Sequence, residues 1–160
     1  MSTARRLESL VTVQSRRVDA ALRALKELNR RVQRALAERS ACLERWQTTE
    51  DRRKQEMSRT ETLGGGSQSV SAAELVAAAG RVDWWRERAR ERKTELESAD
   101  AALLQTESEA AQASLRYRRA HARHEGLTKL ADEQRGALES LRMRVEESDM
   151  DGRRAVGDRT

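Results

Sequence analysis

The stretch 61-ETLGGGSQSVSAAEL-75 interrupts a chain that otherwise reads as charged α-helix. Three consecutive glycines, Gly64 to Gly66, are followed by a Ser/Gln-rich stretch and then by an apolar run. A segment of this kind could be a linker between two independent helices, a loop that cradles a phosphate, or the bend of a helical hairpin. The residues on either side of it distinguish the three.

The residues that follow the glycines carry the signals of a helix start. Ser71 and Glu74 have the spacing of a capping box, in which each side chain accepts a hydrogen bond from the other residue's backbone N–H. Val70 and Leu75 stand at the two positions of a hydrophobic staple. We therefore expect a second helix to begin at Ala72, with the glycines ending the first helix.

The composition favours long helices over a globular core. The 160 residues include no proline and no phenylalanine, while 37% are charged and only 2% are aromatic. Absence of proline removes the strongest helix breaker, and the abundant Ala, Leu, Glu and Arg are good helix formers. Such a composition with a heptad-like period is typical of long helices and coiled coils.

Apolar residues recur at helical spacing on both sides of the bend. A stripe with steps of three and four runs from Leu7 to Trp46 and predicts a first helix over about 3–62. From Val82 to Val145 a longer stripe alternates as heptad positions a and d, which predicts a coiled-coil helix over about 72–148. Many of these seam residues are alanine, a size that lets two helices approach closely.

These features predict an all-α fold: two long helices forming an antiparallel coiled-coil hairpin with a projecting C-terminal helix. We expect one domain over 1–148, a bend at about 63–71, and a disordered tail over 149–160 because of its glycines and mixed charges. A bend centred near Gly66 places Trp46 opposite Trp85 and Arg39 opposite Arg92.

The same register leaves the end of the second helix without a partner. The first helix runs out opposite about residue 131, so QRGALESLRMRVEE and its neighbours project alone. Leu138, Leu141 and Val145 form an apolar stripe on this projection. Because a lone amphipathic helix is marginal in water, the stripe is a candidate docking face for a partner.

The residue patterns of the common enzyme classes are missing from the sequence. No Gly-Lys-Ser/Thr follows the three glycines, which argues against a nucleotide loop. His121 and His124 lack the further ligands of a metal site, and the single cysteine, Cys42, lacks a partner base. We therefore predict a protein that is not an enzyme and that has no cofactor and no metal.

Charge and targeting signals restrict the partners and the compartment. The net charge is +5, but Glu or Asp flanks most of the arginine clusters, so we predict no nucleic-acid partner, although such binding is an alternative reading of the clusters. The single cysteine fits a reducing compartment, no apolar run reaches membrane-spanning length, and the N-terminus lacks the apolar stretch of a signal peptide. These features predict a cytoplasmic protein.

The three tryptophans fall into two groups. Trp46 and Trp85 lie on the predicted seams, which favours packing between the helices. Trp84 must point elsewhere because it is the direct neighbour of Trp85. An exposed tryptophan near the bend either covers the loop or contacts a partner.

An arginine-rich helical hairpin with a projecting C-terminal helix resembles the FliJ/YscO family, the stalk proteins of type III secretion. The bend LGGGSQSVSAAEL and the Ala/Arg-rich composition are most similar to Hrp-type members from plant-associated bacteria. The resemblance implies a non-enzymatic stalk at the cytoplasmic face of the secretion apparatus. One end would bind a hexameric secretion ATPase and the other an export gate protein. Secretion chaperones are further candidate partners, and contact with the membrane would be indirect.

The resemblance also implies roles for particular residues. The export-gate contact would be Trp84 together with the bend at 64–70. A self-associating coiled-coil adaptor or scaffold, joined through the same projecting helix, is the alternative function. The implied ATPase-binding residues are Arg5, Arg6, Leu7, Leu138, Leu141, Arg142, Arg144 and Val145.

Overall fold

Two α-helices make up nearly all of the computed structural model, which describes residues 3–66 and 69–157, with side chains to residue 150. Helix α1 spans Thr3–Gly65 and helix α2 spans Ala72–Gly157. The all-α fold with two long helices is therefore confirmed, as is the predicted start of α2.

Both helices continue further than the sequence predicted. Helix α1 ends at Gly65 rather than at about residue 62, and α2 ends at Gly157 rather than at about residue 148. Glycine costs a helix only about 1 kcal/mol relative to alanine, and the chain contains no proline to stop either helix. Most of the predicted tail at 149–160 is thus helical backbone, and its last three residues lie outside the described ranges.

The capping box at the start of α2 is confirmed atom by atom. The backbone N–H of Glu74 donates to Oγ of Ser71 at 3.2 Å, and the backbone N–H of Ser71 donates to Oε2 of Glu74 at 2.8 Å. The Ser71 hydroxyl also donates to Oε2 of Glu74 at 2.9 Å. These hydrogen bonds, the backbone bond first, lower the pKa of Glu74.

The contacts divide the chain into two units. Unit 1 combines Met1–Lys26 with Gln112–Thr160, and unit 2 is Glu27–Ala111. In unit 2, ion pairs join Arg31 to Glu109 at 3.4 Å, Arg39 to Asp100 at 2.5 Å, and Arg81 to Glu56 at 3.4 Å. The α1 number falls as the α2 number rises, so the two helices of this unit run antiparallel.

Unit 1 has the same antiparallel arrangement. The side-chain amide of Gln14 donates to the backbone oxygen of Ala120 at 3.0 Å, and Arg135 forms an ion pair with Glu8 at 3.2 Å. Gln14 is itself buried, and its hydrogen bond to a backbone oxygen satisfies the amide donor there.

The buried residues follow the predicted seam and are mostly small. The seam buries little apolar area, because alanine and threonine bury less apolar surface than leucine does. The buried side chains are Gln14, Cys42, Thr49, Ala78, Val82, Ala89, Leu103, Thr106, Ala113 and Ala131. The predicted a and d positions of α2 are accordingly confirmed as the packing face as far as Ala131.

The predicted pairing register is wrong. Arg39 pairs with Asp100 rather than facing Arg92, and Arg92 instead pairs with Glu95 of its own helix at 2.8 Å. The bend lies between Gly65 and Ala72, so its centre falls beyond Gly66, and the described ion pairs between the helices lie further along α2 than predicted. The predicted layer of Trp46 against Trp85 was derived from the predicted register, so it no longer follows.

Candidate functional site

The part of α2 that lies beyond the seam forms the candidate site. Every residue from 132 to 150 is exposed, whereas Ala131 just before them is buried. The ion pair between Glu8 and Arg135, at 3.2 Å, is the described contact between the helices that lies furthest along α2. Residues 132–150 are called the unpaired segment below.

An apolar stripe runs along the unpaired segment. Leu138, Leu141 and Val145 are 46%, 56% and 59% exposed. Their spacing of three and seven puts them on one face of the helix, which continues the a and d pattern of the buried seam. The predicted stripe therefore exists as an apolar surface that this chain leaves open to solvent.

The charged residues predicted for the site surround the stripe only in part. Arg142 and Arg144 are exposed on the unpaired segment, and Arg5 and Arg6 are exposed in the first turn of α1. Leu7 is half-buried on the seam. Within the described side chains, no hydrogen bond or ion pair links the α1 residues to the α2 residues of the predicted set.

Sequence reasoning did not select three further exposed apolar side chains in this part of α2. Leu130 is exposed just before the unpaired segment, and Met143 and Met150 are exposed within it. Met143 lies on the opposite face from Leu141, because two residues correspond to about 200° around an α-helix. The signal for Leu130 was present in its spacing of eight from Leu138.

Charge is distributed unevenly within unit 1. The stretches 3–26 and 112–131 carry eleven Lys and Arg but only three Asp and Glu, whereas the unpaired segment carries three Arg against six Asp and Glu. The chain-wide excess of +5 therefore combines a strongly basic paired part with an acidic end in the same unit. The segment-by-segment count was available from the sequence, but it acquires meaning only once the pairing is known.

The arginines of the two units also differ in their partners. In unit 2, twelve of the thirteen arginines form ion pairs, Arg52 being the exception among the described side chains. In unit 1, no described carboxylate lies within ion-pair distance of a set of exposed arginines on both helices. The set comprises Arg5, Arg6, Arg16, Arg17, Arg116, Arg118, Arg119 and Arg123.

Trp84 occupies a surface of unit 2 near the start of α2. It is 59% exposed and packs edge-on against Trp85, with the ring centroids 4.6 Å apart and the planes at 85°. Trp85 is half-buried on the seam. Leu75 and Val76 are exposed earlier in the same helix, so several apolar side chains accompany Trp84 at this end of unit 2.

His121 and Cys42, which were considered for metal binding and for reactivity, make contacts within their own helices. His121 Nδ1 lies 3.5 Å from Glu125, and Cys42 is buried beside Arg45, whose Nη2 lies 3.1 Å from its sulfur. No group of three or more metal-ligating side chains occurs in the described residues. Neither helix, as far as it is described, has a stretch apolar enough to span a bilayer.

No protein-family model matches the chain, and no curated protein matches it. Its structure is similar to a 2.8 Å crystal structure of the type III secretion protein YscO from Vibrio parahaemolyticus, with a TM-score of 0.77 and 21% sequence identity. The match covers 93% of this chain and 93% of that chain, so the two proteins share the two-helix fold along almost their whole length.

Proposed function

We propose that this protein is a non-enzymatic stalk of a type III secretion system, at its cytoplasmic face. It would bind the hexameric secretion ATPase and couple it to the export gate. The observation that carries the proposal is the shared fold with a type III secretion protein over 93% of both chains. The open apolar stripe on the unpaired segment supports it, because such a surface favours a protein partner.

In this proposal the unpaired segment contacts the ATPase. Leu138, Leu141 and Val145 would supply the apolar contact, and Arg142 and Arg144 would provide hydrogen bonds around it. Arg5, Arg6 and Leu7 would add contacts from the start of α1. The stalk performs no chemistry. It would act by binding the states of the ATPase subunits with different affinities, which is what coupling by binding energy requires.

The second proposed contact involves Trp84 and the bend, which would bind the export gate protein. A large exposed aromatic side chain is a typical anchor of a protein interface. Secretion chaperones are further partners in this proposal, and any membrane contact is indirect, through the gate. Replacement of Trp84 by alanine should weaken binding to the gate protein by about 2 kcal/mol, whereas Leu115→Ala, also at an exposed site, should not.

The test of the ATPase contact uses the secretion ATPase of the same organism. The wild-type chain should bind it and change its assembly or its ATP turnover. The pair of substitutions Leu138→Asp and Leu141→Asp should weaken binding by about tenfold or more, because charge is placed on the apolar contact.

The pair Met143→Asp and Met150→Asp is the matched control, since it adds the same two charges to the opposite face of the same segment. The proposal fails if the wild-type chain has no effect on the ATPase. The assignment of the binding face fails if the control weakens binding as much as the test substitutions do.

A further inference from the structure

One face of α2 changes its character along its length. Arg116, Arg119 and Arg123 are spaced by three and seven residues, so they lie on one face of the helix, and all three are exposed. Leu130 lies seven residues beyond Arg123 and continues the same face. The arginines Arg116, Arg119 and Arg123 are called the basic stripe below.

The described acidic side chains do not compensate the charge of the basic stripe. No described carboxylate forms an ion pair with any of its three guanidinium groups, although acidic residues pair with arginines throughout unit 2. Arg16 and Arg17, on α1 in the same unit, also have no described ion pair. Like charges spaced by three or four residues on one helix face repel one another, and an acidic surface placed against them would relieve that repulsion.

The unpaired segment has the complementary character. It carries six acidic residues against three arginines, and its apolar stripe is open. Glu139, Glu146 and Asp149 are spaced so that they line one edge of that stripe. The chain therefore contains both an acidic amphipathic helix and a basic helical surface, on adjacent stretches of α2.

We propose that the unpaired segment of one molecule packs against the basic stripe of a second copy of this chain. Because the two surfaces adjoin near Leu130, a two-fold axis close to that residue brings each unpaired segment onto the basic stripe of the other copy. Such an isologous contact is made twice and closes as a dimer. Leu130 of each copy would lie near the axis, where its exposed side chain becomes buried.

The dimer is separate from the proposed function, because it involves this chain alone. It would also cover Leu138 and Leu141, so the ATPase and the second copy would compete for one surface. Formation of the dimer and binding of the ATPase can be measured independently, and failure of one leaves the other standing.

The test exchanges the charges of the two surfaces. One variant carries Arg116→Glu, Arg119→Glu and Arg123→Glu, and the other carries Glu139→Lys, Glu146→Lys and Asp149→Lys. Each variant alone would place like charges at both contacts of its dimer, so its dissociation constant should rise by about tenfold or more. An equimolar mixture places opposite charges at both contacts and should form a heterodimer.

Sedimentation velocity of the wild-type chain, of each variant and of the mixture measures these outcomes. Circular dichroism checks that the variants remain helical. The wild-type dimer should also weaken as the salt concentration rises, a measurement that needs no substitution. A wild-type chain that is monomeric at all concentrations, variants that still dimerise alone, a mixture that stays monomeric, or a dimer insensitive to salt would each overturn the proposal.

Discussion

Nε of Arg39 donates a hydrogen bond of 2.5 Å to Oδ1 of Asp100, and this ion pair joins the two helices of unit 2. The pair shows how the two helices of this unit are aligned. Sequence periodicity alone had placed Arg39 opposite Arg92 instead. The observed partner is a carboxylate and the predicted one a second guanidinium. The register of the structure therefore replaces a repulsive layer with an attractive one.

A double-mutant cycle tests this pair. Both side chains are more than one-third exposed, so the coupling free energy between Arg39→Ala and Asp100→Ala should be modest, about 0.2–1 kcal/mol. Urea unfolding followed by circular dichroism measures it. The cycle of Arg39→Ala with Arg92→Ala is the control and should be additive. Coupling to Arg92 instead of Asp100 would contradict the register.

The capping box gives a second prediction. Ser71→Ala removes the hydroxyl that accepts the backbone N–H of Glu74, so it should lower the free energy of unfolding by about 1 kcal/mol. Ser69 is exposed outside both helices, and Ser69→Ala provides the matched control with little expected effect. Equal losses in the two variants would mean that the side chain of Ser71 contributes nothing specific to the helix start.

Three carboxylates predict a loss of stability in acid. The guanidinium of Arg53 lowers the pKa of Glu50, that of Arg92 lowers the pKa of Glu95, and the capping hydrogen bonds lower the pKa of Glu74. Each group therefore binds a proton more readily in the unfolded chain. The stability that these three carboxylates contribute is fully present above the ordinary pKa of 4.5. It is lost as the pH falls through their lower pKa values in the folded protein.

Thermal unfolding between neutral and acidic pH measures this dependence. Glu50 receives hydrogen bonds of 2.6 and 3.0 Å from Arg53, and its side chain is the least exposed of those three, so Glu50→Gln should flatten part of the acid slope. Glu97→Gln is the control, since it changes an exposed carboxyl of α2 that belongs to neither proposed contact surface. A slope that is the same in the wild-type chain and in Glu50→Gln would contradict the assignment.

Truncation after Gly136 separates folding from binding. The described contacts between α1 and α2 reach Arg135, so removal of the following residues should leave the helical signal per residue and the cooperative unfolding nearly unchanged. The same truncation removes Leu138, Leu141 and Val145, and should abolish binding to the secretion ATPase. Loss of cooperative unfolding in the truncated chain would show that the unpaired segment supports the hairpin.

Local signals were sufficient for the helices but not for all of their ends. Ser71 and Glu74 are three residues apart, so the start of α2 could be predicted from a contact that involves no distant part of the chain. Gly152 and the charged residues around it suggested an end near residue 148. The helix nevertheless continues to Gly157, because glycine weakens a helix without breaking it.

The candidate site was predictable in its apolar part and not in its charged part. Leu138, Leu141 and Val145 continue the spacing of the α2 seam, so the apolar stripe could be predicted from the sequence. That no described carboxylate pairs with Arg116, Arg119 or Arg123 could not be predicted from the sequence, since it depends on which acidic residues come near them in space.

The sequence by itself determined that there are two helices, where the second begins, and which face of each is packed, because these depend on spacing and on contacts within a few residues. The tertiary structure decided the register. The heptad pattern repeats every seven residues, so a shift of one helix by seven residues again places a and d positions against each other. The pattern therefore fits both alignments equally well. The observed alignment pairs Arg39 with Asp100, a contact between residues far apart in the sequence that the heptad pattern does not contain.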